Sequence, residues 1–127
     1  MKTGEDIESY LIRMDASHQA VGENIWIVKD TGFDLVVSLA GPIVVFRVKL
    51  LELSQVPQAN RERFFQTLLE LNVSEMLHGS YGLEEGAVVV TNALQLENLD
   101  YNEFQSTFED ITLAVGNHYP ILKSLTA

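Results

Sequence analysis

Over residues 43–53 the chain alternates with a period of two. Val44, Phe46, Val48 and Leu50 share one face, while Arg47 and Lys49 point to the other. A strand written this way has one dry side and one wet side, which is the pattern of an antiparallel sheet packed on a single core. Such a sheet needs a cover, and the next segment supplies it. From Pro57, suited to a first-turn position, Phe64, Phe65, Leu68, Leu69 and Leu71 form a broad apolar stripe on a helix expected to run to Asn72. With 127 residues and 46% hydrophobic side chains, the chain suffices for one domain spanning 1–127 without help from disulfides or metal.

The remaining segments extend the same plan. Ile7, Tyr10, Leu11 and Met14 recur at helical spacing, with Thr3 as cap and Glu5, Asp6 and Glu8 near the positive end of the helix dipole. Residues 17–24 read as a polar connection. Residues 25–28 and 35–40 read as strands, separated by the turn Asp30-Thr31-Gly32, and Gly41-Pro42 turns the chain into the alternating strand. Together these make a three-stranded meander. After the covering helix, Gly79-Ser80-Tyr81-Gly82-Leu83, the turn Glu84-Glu85-Gly86 and the apolar run 87–96 predict a second hairpin. Asp100 with Glu103 has capping-box spacing, Leu99 and Phe104 suit a hydrophobic staple, and Tyr101, Phe104, Phe108, Ile111 and Val115 continue as a helix. Gly116-Asn117 reads as its stop, leaving a tail at 118–127 with Pro120 and room for one more turn. The predicted order is α-β-β-β-α-β-β-α, an α+β fold with an antiparallel sheet covered by helices.

Charge narrows the function. Residues 64–122 contain no lysine or arginine but nine acidic side chains, and the whole chain carries a net charge of −10. Such a surface repels nucleic acid and anionic lipid, and it lacks the cations that most phosphate sites use. No nucleic-acid or membrane partner is expected. The largely apolar stretch 35–53 is broken by Gly41-Pro42 and carries Arg47, Lys49 and Glu52, so it is no membrane span. There is no cysteine, and the acidic start Met1 to Asp6 lacks a signal-peptide core, so a cytoplasmic location is expected. Asn72-Val73-Ser74 is then a chance sequon.

No catalytic constellation emerges. His18, His78 and His118 have no second ligand at helical i+4 spacing, and no Gly-x-Ser-x-Gly elbow is present. Gly79-Ser80-Tyr81-Gly82 lacks the third glycine of a dinucleotide loop and the ending of a phosphate loop, so close strand packing explains it better. Glu84-Glu85 and Glu109-Asp110 read as solvated surface, being adjacent acids that point apart. The expectation is a chain that is not an enzyme and uses no cofactor or metal. Apolar surplus is the sharper signal. Phe64-Phe65 and Leu68-Leu69, adjacent pairs about 100° apart on a helix, suit either core packing or a dimer seam made by Phe64, Phe65, Leu68 and Leu69. Trp26, Val28 and Tyr10 suit either the core or anchor positions in a peptide groove. The stripe from Tyr101 to Val115 is too short for a coiled coil and reads as core.

Leu68-Leu69-Glu70-Leu71-Asn72, then Gly79-Ser80-Tyr81-Gly82-Leu83, Glu85-Gly86, the strand at 88–96 and Leu99-Asp100 together resemble the type III secretion chaperone-like superfamily. This superfamily includes the Tir-chaperone family and YbjN-like proteins, and the specific part of the likeness covers 68–111. The resemblance implies a small acidic homodimer without enzymatic activity or cofactor, which holds an extended segment of a secreted effector over apolar patches. The alternative it carries is a YbjN-like regulatory or signalling protein that acts through protein-protein contacts without a secretion role.

Overall fold

The computed structural model describes residues 2–29 and 32–127. The elements run α1 (Gly4–Arg13), β1 (His18–Gly22), β2 (Ile25–Val28), β3 (Leu35–Ala40), β4 (Ile43–Glu52), α2 (Arg61–Ser74), β5 (Ser80–Glu84), β6 (Ala87–Gln95) and α3 (Tyr101–Ser124). The six strands form one antiparallel sheet in the order β1-β2-β3-β4-β6-β5. After α2 the chain returns through β5, but it is β6 that pairs with β4, so β5 becomes one edge and β1 the other. The α+β class with helices over an antiparallel sheet is therefore the fold observed.

The alternation in β4 sets the dry face. Val44, Phe46, Val48 and Leu50 are buried, whereas Arg47 and Lys49 are exposed on the opposite side. Cross-strand register carries the same face across the sheet: Trp26 pairs with Val37, Val37 with Phe46, Leu35 and Val90 with Val48, and Tyr81 with Val90. Register shifts between Lys49 and Leu51, and there Leu50 and Leu51 are both buried. Ile7 and Leu11 of α1 and Phe104, Phe108, Ile111, Val115 and Leu122 of α3 join the sheet in one core. The Phe104 ring lies 5.2 Å from Phe46 and 5.4 Å from Tyr10, tying sheet and both helices together. α2 packs beside β5, where the Asn72 side chain accepts from the Tyr81 amide at 2.6 Å and donates to the Tyr81 carbonyl at 3.2 Å.

Local chemistry explains most boundaries. Thr3 caps α1 with a capping box in which Asp6 accepts from the Thr3 amide at 2.7 Å. Asp100 caps α3 by accepting from the Glu103 amide at 2.8 Å. Three boundaries differ from the sequence reading. Residues 18–22, read as polar connection, form β1, a sixth strand held by backbone pairing to β2 and by little burial of its own. Gln58–Asn60 forms a separate 3-10 turn with Pro57 at its cap, so α2 begins only at Arg61. α3 passes Gly116-Asn117 and Pro120 and ends at Ser124. Gly116 and Pro120 are both exposed, so the carbonyl that Pro120 leaves without an amide partner faces water, while His118 and Leu122 keep the buried stripe going. Asp30 and Thr31 of the expected turn, and Met1, lie outside the described residues. Among the described residues no helix is long and apolar enough to cross a membrane.

The tail beyond Pro120 is thus part of the core. Leu122→Ala should destabilise the chain by about 2–5 kcal/mol in urea unfolding, the usual range for a buried leucine. A change below about 0.5 kcal/mol, typical of a surface site, would place the end of α3 outside the core.

Candidate protein-binding surfaces

Two surfaces stand out among the described residues. The first is the outward ridge of α2. Leu69 and Val73 are 67% and 90% exposed, and with the half-buried Phe65 they follow an i, i+4 spacing along α2. Glu62, Gln66, Glu70 and Ser74 flank Phe65, Leu69 and Val73 around a shallow depression. The first turn of this helix mixes Arg61 and Arg63 with Glu62, and the last turn holds no basic residue. Arg61 is engaged locally, its Nε donating to the Val56 carbonyl at 3.1 Å. Arg63 is exposed and makes no ion pair among the described residues.

The four residues expected to form a seam divide. Phe65 and Leu69 lie on the outward side, whereas Phe64 and Leu68 are buried in the chain's own core and have no surface left to offer a second copy. Adjacent residues on a helix point about 100° apart, so a pair of neighbours at the edge of an apolar stripe is split between inside and outside.

The second surface lies where α1 meets the β1 edge. Among the described residues β1 pairs only with β2, and it carries no lysine or proline. Val21 falls at a register shift between Ala20 and Gly22 and is 49% exposed. A groove between the start of α1 and this edge is lined by Glu5 and Glu8 on one side and by Ala20, Gly22, Asn24 and Trp26 on the other. Gly4 allows the approach: a Cβ there would collide with Asn24 Oδ1 and stand 3.3 Å from the Trp26 ring. Trp26 and Val28, read as core or anchors, are 4% and 0% exposed, so they lie in the core beneath this surface. Tyr10 points to the other side of α1, where its hydroxyl donates to the Leu99 carbonyl at 3.1 Å and its ring packs on Tyr101 and Phe104. β1 carries no hydrophobic alternation, so the accessible residues of this surface, Ala20, Val21 and Gly22, were not legible before the structure.

Two histidines stitch the β5 side to α3. His78, in the α2–β5 connection, contacts Asp110 Oδ2 through Nδ1 at 2.6 Å. The buried Tyr81 hydroxyl lies 2.8 Å from His118 Nδ1. Burial raises the Tyr81 phenol, which therefore stays neutral, and burial lowers His118 from its usual 6.5 while Glu75 opposes this in part. The arrangement is structural, a neutral pair closing the core. Its sign is testable. The unfolded chain takes up the His118 proton more readily than the fold does, so this contribution is intact above about pH 6.5 and is lost as the pH falls through the lowered folded value. Stability of the chain minus that of His118→Gln should decline from about pH 7.5 to about pH 5.5 in urea titrations; a flat or rising difference would mean that His118 is not held neutral.

No curated protein matches the chain. Solved structures share its fold. One chain of the heterodimeric ExoU–SpcU complex from the type III secretion system of Pseudomonas aeruginosa superposes with a TM-score of 0.74 at 16% identity, covering 93% of this chain and 98% of that one. YbjN from E. coli, described as a putative transcription regulator, gives 0.68 at 14% identity over 92% of this chain and 91% of its own. The structure of the Yersinia pestis type III secretion chaperone SycH with a stable fragment of YscM2 gives 0.62 at 12% identity, over 90% and 98%. The family model CesT_Tir_1 matches residues 1–127. By that match over its whole length, the chain belongs to the CesT/Tir family of secretion chaperones, which are not enzymes.

Proposed function

We propose that this chain is a cytoplasmic, dimeric binding protein that holds an extended segment of another protein, a secreted effector, along the free edge of β1. The single observation that carries this reading is the unblocked β1 edge beside the α1 groove, since strand addition needs a free row of backbone donors and acceptors and a place for alternate side chains. The relatives described as complexes support it: SycH was solved with a fragment of YscM2, and SchA with HopA1 as a chaperone–effector complex. The likeness to YbjN favours a second reading, a regulator that uses the same edge on a partner unconnected with secretion.

The α2 ridge is the proposed seam for a second copy. Residues four apart form the ridge, so two copies would pack antiparallel across a two-fold axis near Leu69. Phe65 and Leu69 would be seam residues, joined by Val73. Phe64 and Leu68 would support them from the core.

Light scattering on the purified chain should give the mass of two chains, and Leu69→Glu with Val73→Glu should give that of one while leaving far-UV circular dichroism unchanged. A folded double variant that remains a dimer would remove α2 from the seam. For the edge, partners captured from a lysate of the source organism should be lost by Val21→Lys, because an edge lysine blocks an added strand. Capture that is undiminished by Val21→Lys would place binding elsewhere.

A further inference from the structure

The groove beside β1 carries information about its occupant. Its α1 wall presents Glu5 and Glu8, and a second depression running on along α1 is lined by Glu5, Glu8, Ser9 and Ile12. The two depressions share the carboxylates, so one stripe of α1 offers two acids and then Ile12, which is well exposed. Neither Glu5 nor Glu8 has an ion-pair partner among the described residues. The cations nearest in sequence are engaged away from the groove: Arg13 lies 4.0 Å over the Tyr101 ring and Lys2 Nζ donates to the Tyr10 hydroxyl at 3.3 Å. Opposite the acids, the β1 side of the groove is uncharged, with Ala20 and Gly22 lining it beside Trp26.

We propose that the occupant is an extended segment with a lysine or arginine two residues away from an aliphatic side chain, the cation lying between Glu5 and Glu8 and the aliphatic group against Ile12. The inference rests on the strand-edge reading above and adds the chemistry of the partner. Three features combine. A free strand edge requires an extended occupant, the small residues Ala20 and Gly22 leave depth for side chains, and unpaired carboxylates select positive charge.

Spacing sets the pattern. Along α1 the midpoint of Glu5 and Glu8 stands about 8 Å from Ile12 at a rise of about 1.5 Å per residue. Same-side residues of a strand repeat every 6.6–6.8 Å or so, so one such step spans the acids and the isoleucine. α1 and β1 are joined by a short connection and run in opposite senses, with Gly4 beside Asn24 and the Trp26 ring. The cation therefore belongs at the Gly22 end of β1 and the aliphatic residue at the His18 end. Lys29 stands at that second end, after Val28 pairs with His18, and so discourages a cation there.

The test is selection of random ten-residue peptides displayed against the full chain at low salt, with binding sites located by backbone amide shifts. The expected winners carry Lys or Arg two positions from Val, Ile or Leu and shift the amides of β1. A synthetic peptide of the winning sequence should bind the double variant Glu5→Gln, Glu8→Gln about fivefold more weakly, the scale of exposed ion pairs. Added salt should weaken wild-type binding by a similar factor and leave the variant unchanged. Winners that shift β1 but lack a cation, or that bind the double variant equally well, overturn the charge proposal and leave the edge reading standing. Winners that shift only other residues, or no enrichment at all, overturn the edge reading and this proposal with it.

Discussion

Phe46 lies fully buried in the longest strand, paired with Val37 of β3 and Asn92 of β6, with the Phe104 ring 5.2 Å from its own. Burying one such side chain contributes about 1.5–3 kcal/mol, but its place matters more than its size. The contact joins the middle of the sheet to α3, and through Phe104 and Tyr10 it joins α3 to α1. Because β4 alternates from Val44 to Leu50, this contact can form on one face only, and a register slip of one residue would bring Arg47 and Lys49 into its place. The covering helices, the sheet order and the sidedness of the molecule all follow from that choice of face.

With α1 and α3 closing the dry face, α2 buries Phe64 and Leu68, packs Phe65 and Leu71 partly against the core and keeps Leu69 and Val73 outside. The same economy applies at the other edge, where β1 adds backbone pairing to β2 but little buried surface of its own. The sheet thus ends in two different ways. Its β5 side is tied to α3 by His78 and His118 and bounded by α2, while its β1 side stays open next to two unpaired carboxylates. The acidic excess falls mainly on exposed positions, including Glu62 and Glu70 beside the ridge, consistent with a coat that keeps apolar binding surfaces in solution.

Much of this was legible in the sequence, for physical reasons. β4 announced itself because one wet face and one dry face leave a period of two, and α1 and α3 announced themselves through capping chemistry at Thr3 and Asp100. β1 did not, because a strand held by backbone hydrogen bonds at a sheet edge needs no hydrophobic pattern. The end of α3 was missed for the opposite reason: Gly116 and Pro120 are local stop signals, but burial of Leu122 outweighs them. For the surfaces, sequence reasoning found the apolar surplus of α2 without being able to say which member of each adjacent pair faced out. It also drew attention to Trp26 and Val28, whose burial shows that bulk and aromaticity alone mark a core as readily as an anchor.

The central claim is that β1 is the working edge of the molecule. Amide hydrogen exchange across His18–Gly22, measured on the chain alone and with a bound partner segment, tests it most directly. Amides facing the free edge should exchange rapidly in the chain alone and at least about tenfold more slowly in the complex, as expected when they gain backbone acceptors. A saturated complex in which those amides exchange as fast as before would contradict the account.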